Sequence, residues 1–328
     1  MLRVAVLGLG NIGKRHTDYY CMNGDAELVA VCDMVADLVD PVAKQYGVKA
    51  YHDLDQLLQN EEFDAISVCT AGPENGGHHY EPAMKCLDAG KHVLVEKPIS
   101  NNIEHARTMV QHAKDRELLL GVNLNHRFTP AAERAKRLQA EGQLGEVLSI
   151  NMVLRIDNPN DSSPWFHMRA LHPHSIDVMR FFGGPIAKVQ AFMHKAPGRE
   201  NWSNASVNVA FASGAVGNLS GSYDASRFHP IERCEVSGTT GRFVIENVYE
   251  RLEFFPRETP EKLVIDNPIM GGMSSFNETF RNRINRFVEQ VQAGGPLDAS
   301  GDEGLAAQEV IEGAIRSWER GTVEEVAG

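Results

Sequence analysis

Along the first 125 residues, short apolar runs alternate with longer stretches whose apolar positions recur every three to four residues. The runs at 2–7, 28–33, 64–70, 92–95 and 118–122 read as strands; the stretches at 11–22, 35–46, 79–89 and 103–115 read as helices. Strand–helix units of about thirty residues predict a parallel sheet covered on both faces. Right-handed crossovers make it doubly wound.

After Phe128-Thr129-Pro130 the pattern changes. A helix over 131–140 leads into β-rich stretches at 146–156, 186–194, 206–211, 215–223, 232–237, 243–246 and 251–255, interrupted by a helix near 171–182. Several alternate apolar and polar positions, as in Val207-Asn208-Val209-Ala210-Phe211. That predicts a second α/β domain with a large open, mostly antiparallel sheet, one side of it solvated or facing a partner. Helices at about 276–292 and 301–320 close the chain. The glycine-rich stretch near 271 and Gly294-Gly295-Pro296 read as connections. The expected division is 1–125 and 126–328, with the last helix packing back on the first domain.

Composition narrows the class. A chain of 328 residues exceeds one ordinary core, in keeping with two domains. With 42% hydrophobic and 23% charged residues it reads as globular, not disordered. The net charge of −12 argues against nucleic-acid and acidic-membrane partners. No apolar run approaches the ~18 residues of a membrane span. The N-terminus runs quickly into glycines and charges and reads as no signal peptide. Five scattered cysteines, odd in number and in no CxxC pair, read as reduced thiols of a cytoplasmic protein.

Gly8-Leu9-Gly10-Asn11-Ile12-Gly13 matches GxGxxG directly after the first strand and at the start of a helix. Gly8 permits the tight turn, Gly10 lets a pyrophosphate approach the backbone, and Gly13 allows close helix–strand packing. Exposed N–H groups and the helix dipole then hold the phosphates. Asp33, 20 residues beyond Gly13, stands where an acid accepts from the adenosine ribose hydroxyls. Its charge repels a 2′-phosphate, and Met34-Val35-Ala36 brings no arginine, so NAD is favoured over NADP. FAD uses the same fingerprint. A plain glycine turn, with Asp33 capping the next helix, is the other reading. Thr70 and Ala71, at the end of strand 64–70, join the expected cofactor cleft. His79, in the His78-His79 pair that opens a helix, is a candidate for its nicotinamide side.

Lys97 follows strand 92–95 in Val93-Leu94-Val95-Glu96-Lys97-Pro98. Ligands of open α/β sheets bind beyond the carboxyl ends of the strands. Pro98 fixes the backbone after the lysine. The ammonium is either a donor to a substrate oxygen or a surface partner of Glu96. In Leu171-His172-Pro173-His174-Ser175-Ile176-Asp177, the proline predicts a helix start near His172. His174 would then lie on the apolar stripe of Leu171, Val178 and Phe181, near the positive helix end that suits a neutral base. A hydrogen-bonded core histidine is the alternative. Asp177 pairs with a positive group or caps a turn. His167, His172 and His174 raise a zinc site, but without a clear fourth ligand the spacing fits poorly, and no metal is expected. Candidates for the substrate pocket are Arg155, Asp157, Trp165, His167, Arg169 and His172.

Five segments resemble the Gfo/Idh/MocA family of glucose–fructose oxidoreductase and inositol dehydrogenase relatives. They are VAVLGLGNIGKRH, HYEPAMKCLDAGKHVLVEKPIS with its Glu-Lys-Pro, GVNLNHRFTP, HPHSIDVMRFFGG with its H-x-x-D, and VSGTTGRFVIEN. The resemblance runs nearly end to end. It implies a Rossmann domain, a substrate-binding α/β domain whose open sheet makes subunit contacts in a homodimer or homotetramer, and pyridine-nucleotide redox chemistry on a carbohydrate-like substrate. Lys97 carries over as the active-site lysine and His174 as its histidine. Asn125 and Arg127 carry over as residues bordering the nicotinamide and substrate, and Glu96 joins the expected cofactor site. One departure stands out: the family's aspartate one turn before the histidine is Ala170 here, with His172 or Arg169 at hand to take its place. A dehydrogenase is the expected activity. A redox-neutral NAD-dependent glycosidase or lyase and a non-catalytic NAD-binding sensor are the alternatives.

Overall fold

The structure, a computed structural model, describes every residue except 73–77, 227, 229, 249, 267–272 and 327–328. The connection expected near 271 lies outside the described residues. The chain divides into two compact units, one of Met1–Leu124 with Phe280–Leu305, the other of Asn125–Thr279 with Ala306–Gly328.

The first unit runs β1 (Leu2–Leu7), α1 (Asn11–Met22), β2 (Ala26–Cys32), α2 (Ala36–Tyr46), β3 (Lys49–Tyr51), α3 (Leu54–Asn60), β4 (Ala65–Val68), α4 (Tyr80–Asp88), β5 (His92–Val95), α5 (Ile103–Asp115) and β6 (Leu120–Val122). These strands form a six-stranded sheet in the order β3-β2-β1-β4-β5-β6, and every pair is parallel. The order reverses between β1 and β4. Successive connections leave those two strand ends on opposite sides, which opens a crevice at their carboxyl ends. All of β4 is buried, as a strand covered on both faces requires. The sequence reading missed β3 and α3. β3 has 3 residues, two of them exposed, at the sheet edge. Asp53 caps α3 by accepting from Gln56 N at 3.0 Å.

The chain continues through α6 (Pro130–Ala140), β7 (Val147–Arg155), α7 (Phe166–Gly183), β8 (Ile186–His194), β9 (Asn204–Phe211), β10 (Val216–Ser222), β11 (Glu232–Gly238), β12 (Gly241–Glu246), β13 (Arg251–Pro256), β14 (Leu263–Asp266), α8 (Met273–Ala293), α9 (Gly301–Arg320) and β15 (Glu324–Glu325). Ile284, Phe287 and Val288 of α8 belong to the first unit and complete its core beside Val4, Val6 and Tyr20. Arg283 is fully buried there and donates to the carbonyls of Val122 and Ala299 at 3.1 and 3.2 Å.

The second unit holds a nine-stranded sheet in the order β14-β13-β12-β11-β7-β10-β9-β8-β15. Its one parallel pair among the described strands is β7–β10. On β9, Ala205, Val207, Val209 and Phe211 point into the core while Ser206 and Asn208 face out. Ile176, Met179 and Phe182 of α7 pack against that inner face. Leu148, Phe192 and Val216 are about half exposed.

One expectation is corrected here. The helix placed near 171–182 begins at Phe166, so Pro173 lies inside it. His174 therefore sits mid-helix, away from the positive end, and the dipole argument for a neutral base fails, because that effect fades beyond the first turn.

Candidate functional site

The glycine loop leaves β1 with Gly8 at φ +86°. A Cβ there would meet the backbone of Cys69 at 2.8 Å, and a Cβ on Gly13 would stand 1.7 Å from the Gly8 carbonyl oxygen. Both positions are therefore closed to larger residues. At Gly10 a Cβ would meet nothing within 4 Å: the protein leaves that space open. Asn11 and Ile12 start α1, whose N-terminus has no side-chain cap and no acidic residue in its first turn. Its amides are donors suited to an anion. Asp33 follows β2 and accepts from Leu9 N at 2.7 Å and Val35 N at 2.9 Å, which fixes its carboxylate beside the loop. A cleft of about 740 Å3 runs along Gly8, Gly10, Asp33, Met34, Thr70 and Ala71. Open backbone, uncapped amides and an ordered acid are the donor and acceptor set of a dinucleotide site. The cleft also reaches His52, Asp53 and the ring of Tyr80, which the sequence reading passed over.

Lys97 leaves the carboxyl end of β5 through a cis Lys97–Pro98 peptide. Glu96 is not a surface ion-pair partner. It is buried, with Oε1 accepting from His16 Nε2 at 2.9 Å and from Asn123 Nδ2. Burial pushes the partly exposed Lys97 ammonium below its ordinary pKa, and the Glu96 charge opposes that fall. His79 is buried behind this turn, its Nδ1 donating to the Pro98 carbonyl at 2.9 Å, and burial lowers its pKa. His16 and Asn123 were missed in the sequence. Asn123 follows the apolar end of β6, whereas His16, between Arg15 and Thr17 on α1, carries no such signal.

In the second unit, His174 stacks on His126 with ring centroids 4.0 Å apart and planes 5° off parallel. His126 Nδ1 pairs with buried Glu232 Oε2 at 2.7 Å. Neither His126 nor Glu232 was anticipated. Arg127 is gripped by Asp177, Nε to Oδ2 at 2.9 Å and Nη2 to Oδ1, with both side chains buried. The guanidinium also lies 5.0 Å from the ring centre of Phe181. Asp177 thus pairs with a cation. Asn125 Nδ2 donates to Thr279 Oγ1 at 2.5 Å.

The remaining candidates scatter. His172 is fully buried, with Nδ1 3.1 Å from Ser175 Oγ and Nε2 3.1 Å from His167 Nε2. Gly221 on β10 makes room for it, since a Cβ there would lie 2.1 Å from His172 Nε2. Burial drives the His167 pKa down to about 3 and that of His172 well below the usual value. Arg169 pairs with Glu312 at 2.8 Å and 3.0 Å. Ala170 packs with Phe166 and Tyr223, so an apolar cluster occupies the position of the family's aspartate. Arg155 is exposed and donates to Ser220 at 2.9 Å. Asp157 is exposed, and its backbone forms an isolated antiparallel β-bridge with that of Asp224. Trp165 stacks on Trp202 at 6.4 Å. Among the described residues, no group of three or more His, Cys, Asp or Glu side chains is placed to hold a metal ion.

Comparison with known proteins identifies the family. Residues 2–124 match the oxidoreductase family's NAD-binding Rossmann fold, and residues 132–244 match the GFO/IDH/MocA C-terminal domain. Myo-inositol 2-dehydrogenase of Thermotoga maritima is 27% identical over 327 residues, 93% of each chain. D-glucoside 3-dehydrogenase of Escherichia coli is 35% identical over 148 residues, 44% of this chain and 41% of its own. A crystal structure of an NAD-binding oxidoreductase from Klebsiella pneumoniae superposes with a TM-score of 0.90 at 23% identity, covering 100% of this chain and 99% of its own. With both family domains in sequence order, a glycine cradle fitted to a dinucleotide and the Glu-Lys-Pro turn beside it, the chain belongs to the Gfo/Idh/MocA family of NAD-binding oxidoreductases.

Proposed function

We propose that the protein transfers a hydride between NAD and a secondary hydroxyl or ketone of a sugar, polyol or glycoside. The observation that carries this is the pairing, at the carboxyl edge of one parallel sheet, of the open glycine cradle with Lys97 on the constrained end of β5. Relatives named as myo-inositol and glucoside dehydrogenases support the substrate class. Gly8, Gly10 and Gly13, the first amides of α1, and Asp33 would hold the dinucleotide. Bound nicotinamide supplies the hydride acceptor or donor.

The chain's own groups handle the proton and the charge. The Lys97 ammonium donates a hydrogen bond to the substrate oxygen and stabilises the negative charge that grows as the hydroxyl proton leaves. His174 takes that proton at Nε2, its Nδ1 being shut away from solvent. Stacking on His126 holds the plane of the ring. In the reverse direction His174 returns the proton. The Asp33 carboxylate supports NAD over NADP. The five unpaired cysteines support a cytoplasmic location, and the exposed apolar residues of the large sheet support a homodimer or homotetramer. No described helix is long and apolar enough to cross a membrane.

The test is purified protein with NAD or NADH and a panel of polyols, sugars and glycosides and their keto forms, followed at the NADH absorbance. Substrate-dependent NADH formation, abolished in Lys97→Ala, is expected. Absence of NADH change in both directions with both nicotinamide cofactors overturns the proposal. Turnover of a glycoside without accumulating NADH points instead to redox-neutral elimination.

A further inference from the structure

We propose that a buried hydrogen-bonded chain, running from Tyr20 through Ser67 and His16 to Glu96, holds a carboxylate charge against Lys97 and so keeps that lysine in its ammonium form. This rests on the reading of Lys97 as the group that polarises the substrate oxygen.

The chain joins separate elements of the first unit. Tyr20 and His16 are one turn apart on α1, Ser67 is in the middle of β4, and Glu96 follows β5. Tyr20 OH lies 2.8 Å from Ser67 Oγ, and Ser67 Oγ lies 3.0 Å from His16 Nδ1. His16 Nε2 lies 2.9 Å from Glu96 Oε1. Asn123, just past β6, donates to the same oxygen. Tyr20, Ser67 and His16 are fully buried, and Asn123 and Glu96 nearly so.

With a neutral His16 ring, one donor direction satisfies every link. Tyr20 O–H donates to Ser67 Oγ, Ser67 O–H donates to His16 Nδ1, and His16 Nε2–H donates to Glu96, the tautomer being assigned from the network. All donors thus end on one carboxylate. A network of this kind stabilises the ionised acceptor. Apolar side chains could fill the same space without the desolvation that these polar groups incur. Their presence calls for a role beyond packing, and the group next along the chain from the terminal acceptor is Lys97.

The charges fit. Burial pushes the Glu96 carboxyl up, but His16, Lys97 and Asn123 together bring it below the ordinary carboxylate range, so it stays ionised. Other titratable groups face the cluster. Cys69 and Tyr20 are both pushed up by burial and stay neutral at neutral pH. His79, facing Glu96 and Lys97, is pushed down by burial. Arg283 faces Tyr20. The Glu96 charge opposes the desolvation of Lys97.

The experiment reads Lys97 directly. The full-length protein, without substrate, is acylated by a trace amine reagent across a pH series, and labelling of the Lys97 peptide is quantified by mass spectrometry. Glu96→Gln keeps the shape and removes the charge. It should lower the Lys97 midpoint by about one pH unit or more, the usual effect of losing a nearby opposite charge. His16→Phe should shift it the same way by less, and His16→Gln, which restores a donor, should bring it back towards wild type. The alkaline limb of the kcat/KM profile should move in parallel. A merely structural role would lower kcat at every pH without moving the midpoint. Ser67→Ala, which removes a single hydroxyl, gives the same sign of shift and stands in should Glu96→Gln not fold. An unmoved or raised midpoint in these variants overturns the proposal. A lowered midpoint together with full turnover in Lys97→Ala sustains the chain and overturns the role of Lys97; lost turnover in Lys97→Ala with an unmoved midpoint does the reverse.

Discussion

Alanine at Gly10 and alanine at Gly13 should have opposite signatures, although both add one methyl to the same loop. At Gly13 the new Cβ would stand 1.7 Å from the Gly8 carbonyl oxygen and 2.8 Å from its carbon. Both are backbone atoms, so relief requires moving the strand end or the helix start. Overpacking costs about 1–3 kcal/mol, and a main-chain clash belongs at the top of that range. At roughly 2–4 °C per kcal/mol, Gly13→Ala should melt about 6–12 °C lower. At Gly10 the backbone has φ −65° and ψ −169°, which alanine adopts without strain, and the methyl meets nothing within 4 Å. Restricting the unfolded chain should then stabilise the free protein by about 0.4–1 kcal/mol.

The open space at Gly10 is where the pyrophosphate must approach the backbone. Gly10→Ala should therefore weaken NAD binding, on the order of a hundredfold for about 2.7 kcal/mol of lost contact. Thermal denaturation with and without NAD separates the two effects. At a concentration of 100 wild-type Kd, NAD adds about 2.7 kcal/mol to the wild type and, after a hundredfold loss, about 0.4 kcal/mol to Gly10→Ala. A wild-type NAD shift in Gly10→Ala, or a wild-type melting temperature in Gly13→Ala, refutes the assignment of the loop.

Three further outcomes follow from the same geometry. Asp33→Ala frees Leu9 N and Val35 N, which order the loop, and removes the acceptor proposed for the ribose hydroxyls; losing one or two ribose hydrogen bonds at about 1 kcal/mol each should raise the NAD Kd roughly tenfold and narrow the preference over NADP, as read by titration with each cofactor. Asp177→Ala leaves the buried Arg127 guanidinium without its carboxylate and should destabilise by about 3–5 kcal/mol, and an urea midpoint equal to wild type would contradict it. His167 and His172 are held neutral by burial, the former with its pKa at about 3. Their folded pKa values lie below the unfolded ~6.5, so the unfolded chain takes up protons first, and stability falls as pH drops below ~6.5 towards the folded values. At pH 5 the loss is about 2 kcal/mol per histidine. Urea unfolding between pH 8 and pH 5 should show it, and a His167→Gln/His172→Gln variant that loses as much as wild type would remove the cause.

The fold was legible where the pattern is local and long. β1, β2, β4 and β5 announce themselves as apolar runs because both faces of a parallel sheet are covered. β3 did not. Lys49-Ala50-Tyr51 is short and largely exposed, and it is a strand because it pairs with Ala30–Cys32 on the sheet edge. The start of α7 was misplaced for a similar reason. Trp165 offers no capping side chain, and nothing in Phe166–Ala170 marks a first turn. Pro173 therefore reads as the start, although a proline inside a helix leaves only the Arg169 carbonyl without its intrahelical donor.

The candidate site divides along the same line. The glycine cradle and Asp33 were legible because a tight turn, a helix start and a strand end have a fixed spacing along the chain. The groups around Lys97 were not, because they meet across the fold: His16 is 51 residues from Ser67 and 80 from Glu96. Yet Ser67 and Glu96 left a trace. Ser67 interrupts Ala65-Ile66-Ser67-Val68, and Glu96 ends Val93-Leu94-Val95. A polar side chain in a strand covered on both faces loses its water on folding and must find a partner or destabilise the sheet. Ser67 finds two, one on each side of the link between Tyr20 and His16. The fault in an apolar run is thus itself a prediction of contact. The sequence states that Ser67 and Glu96 have partners, and only the packing of α1 across the sheet states that they share His16.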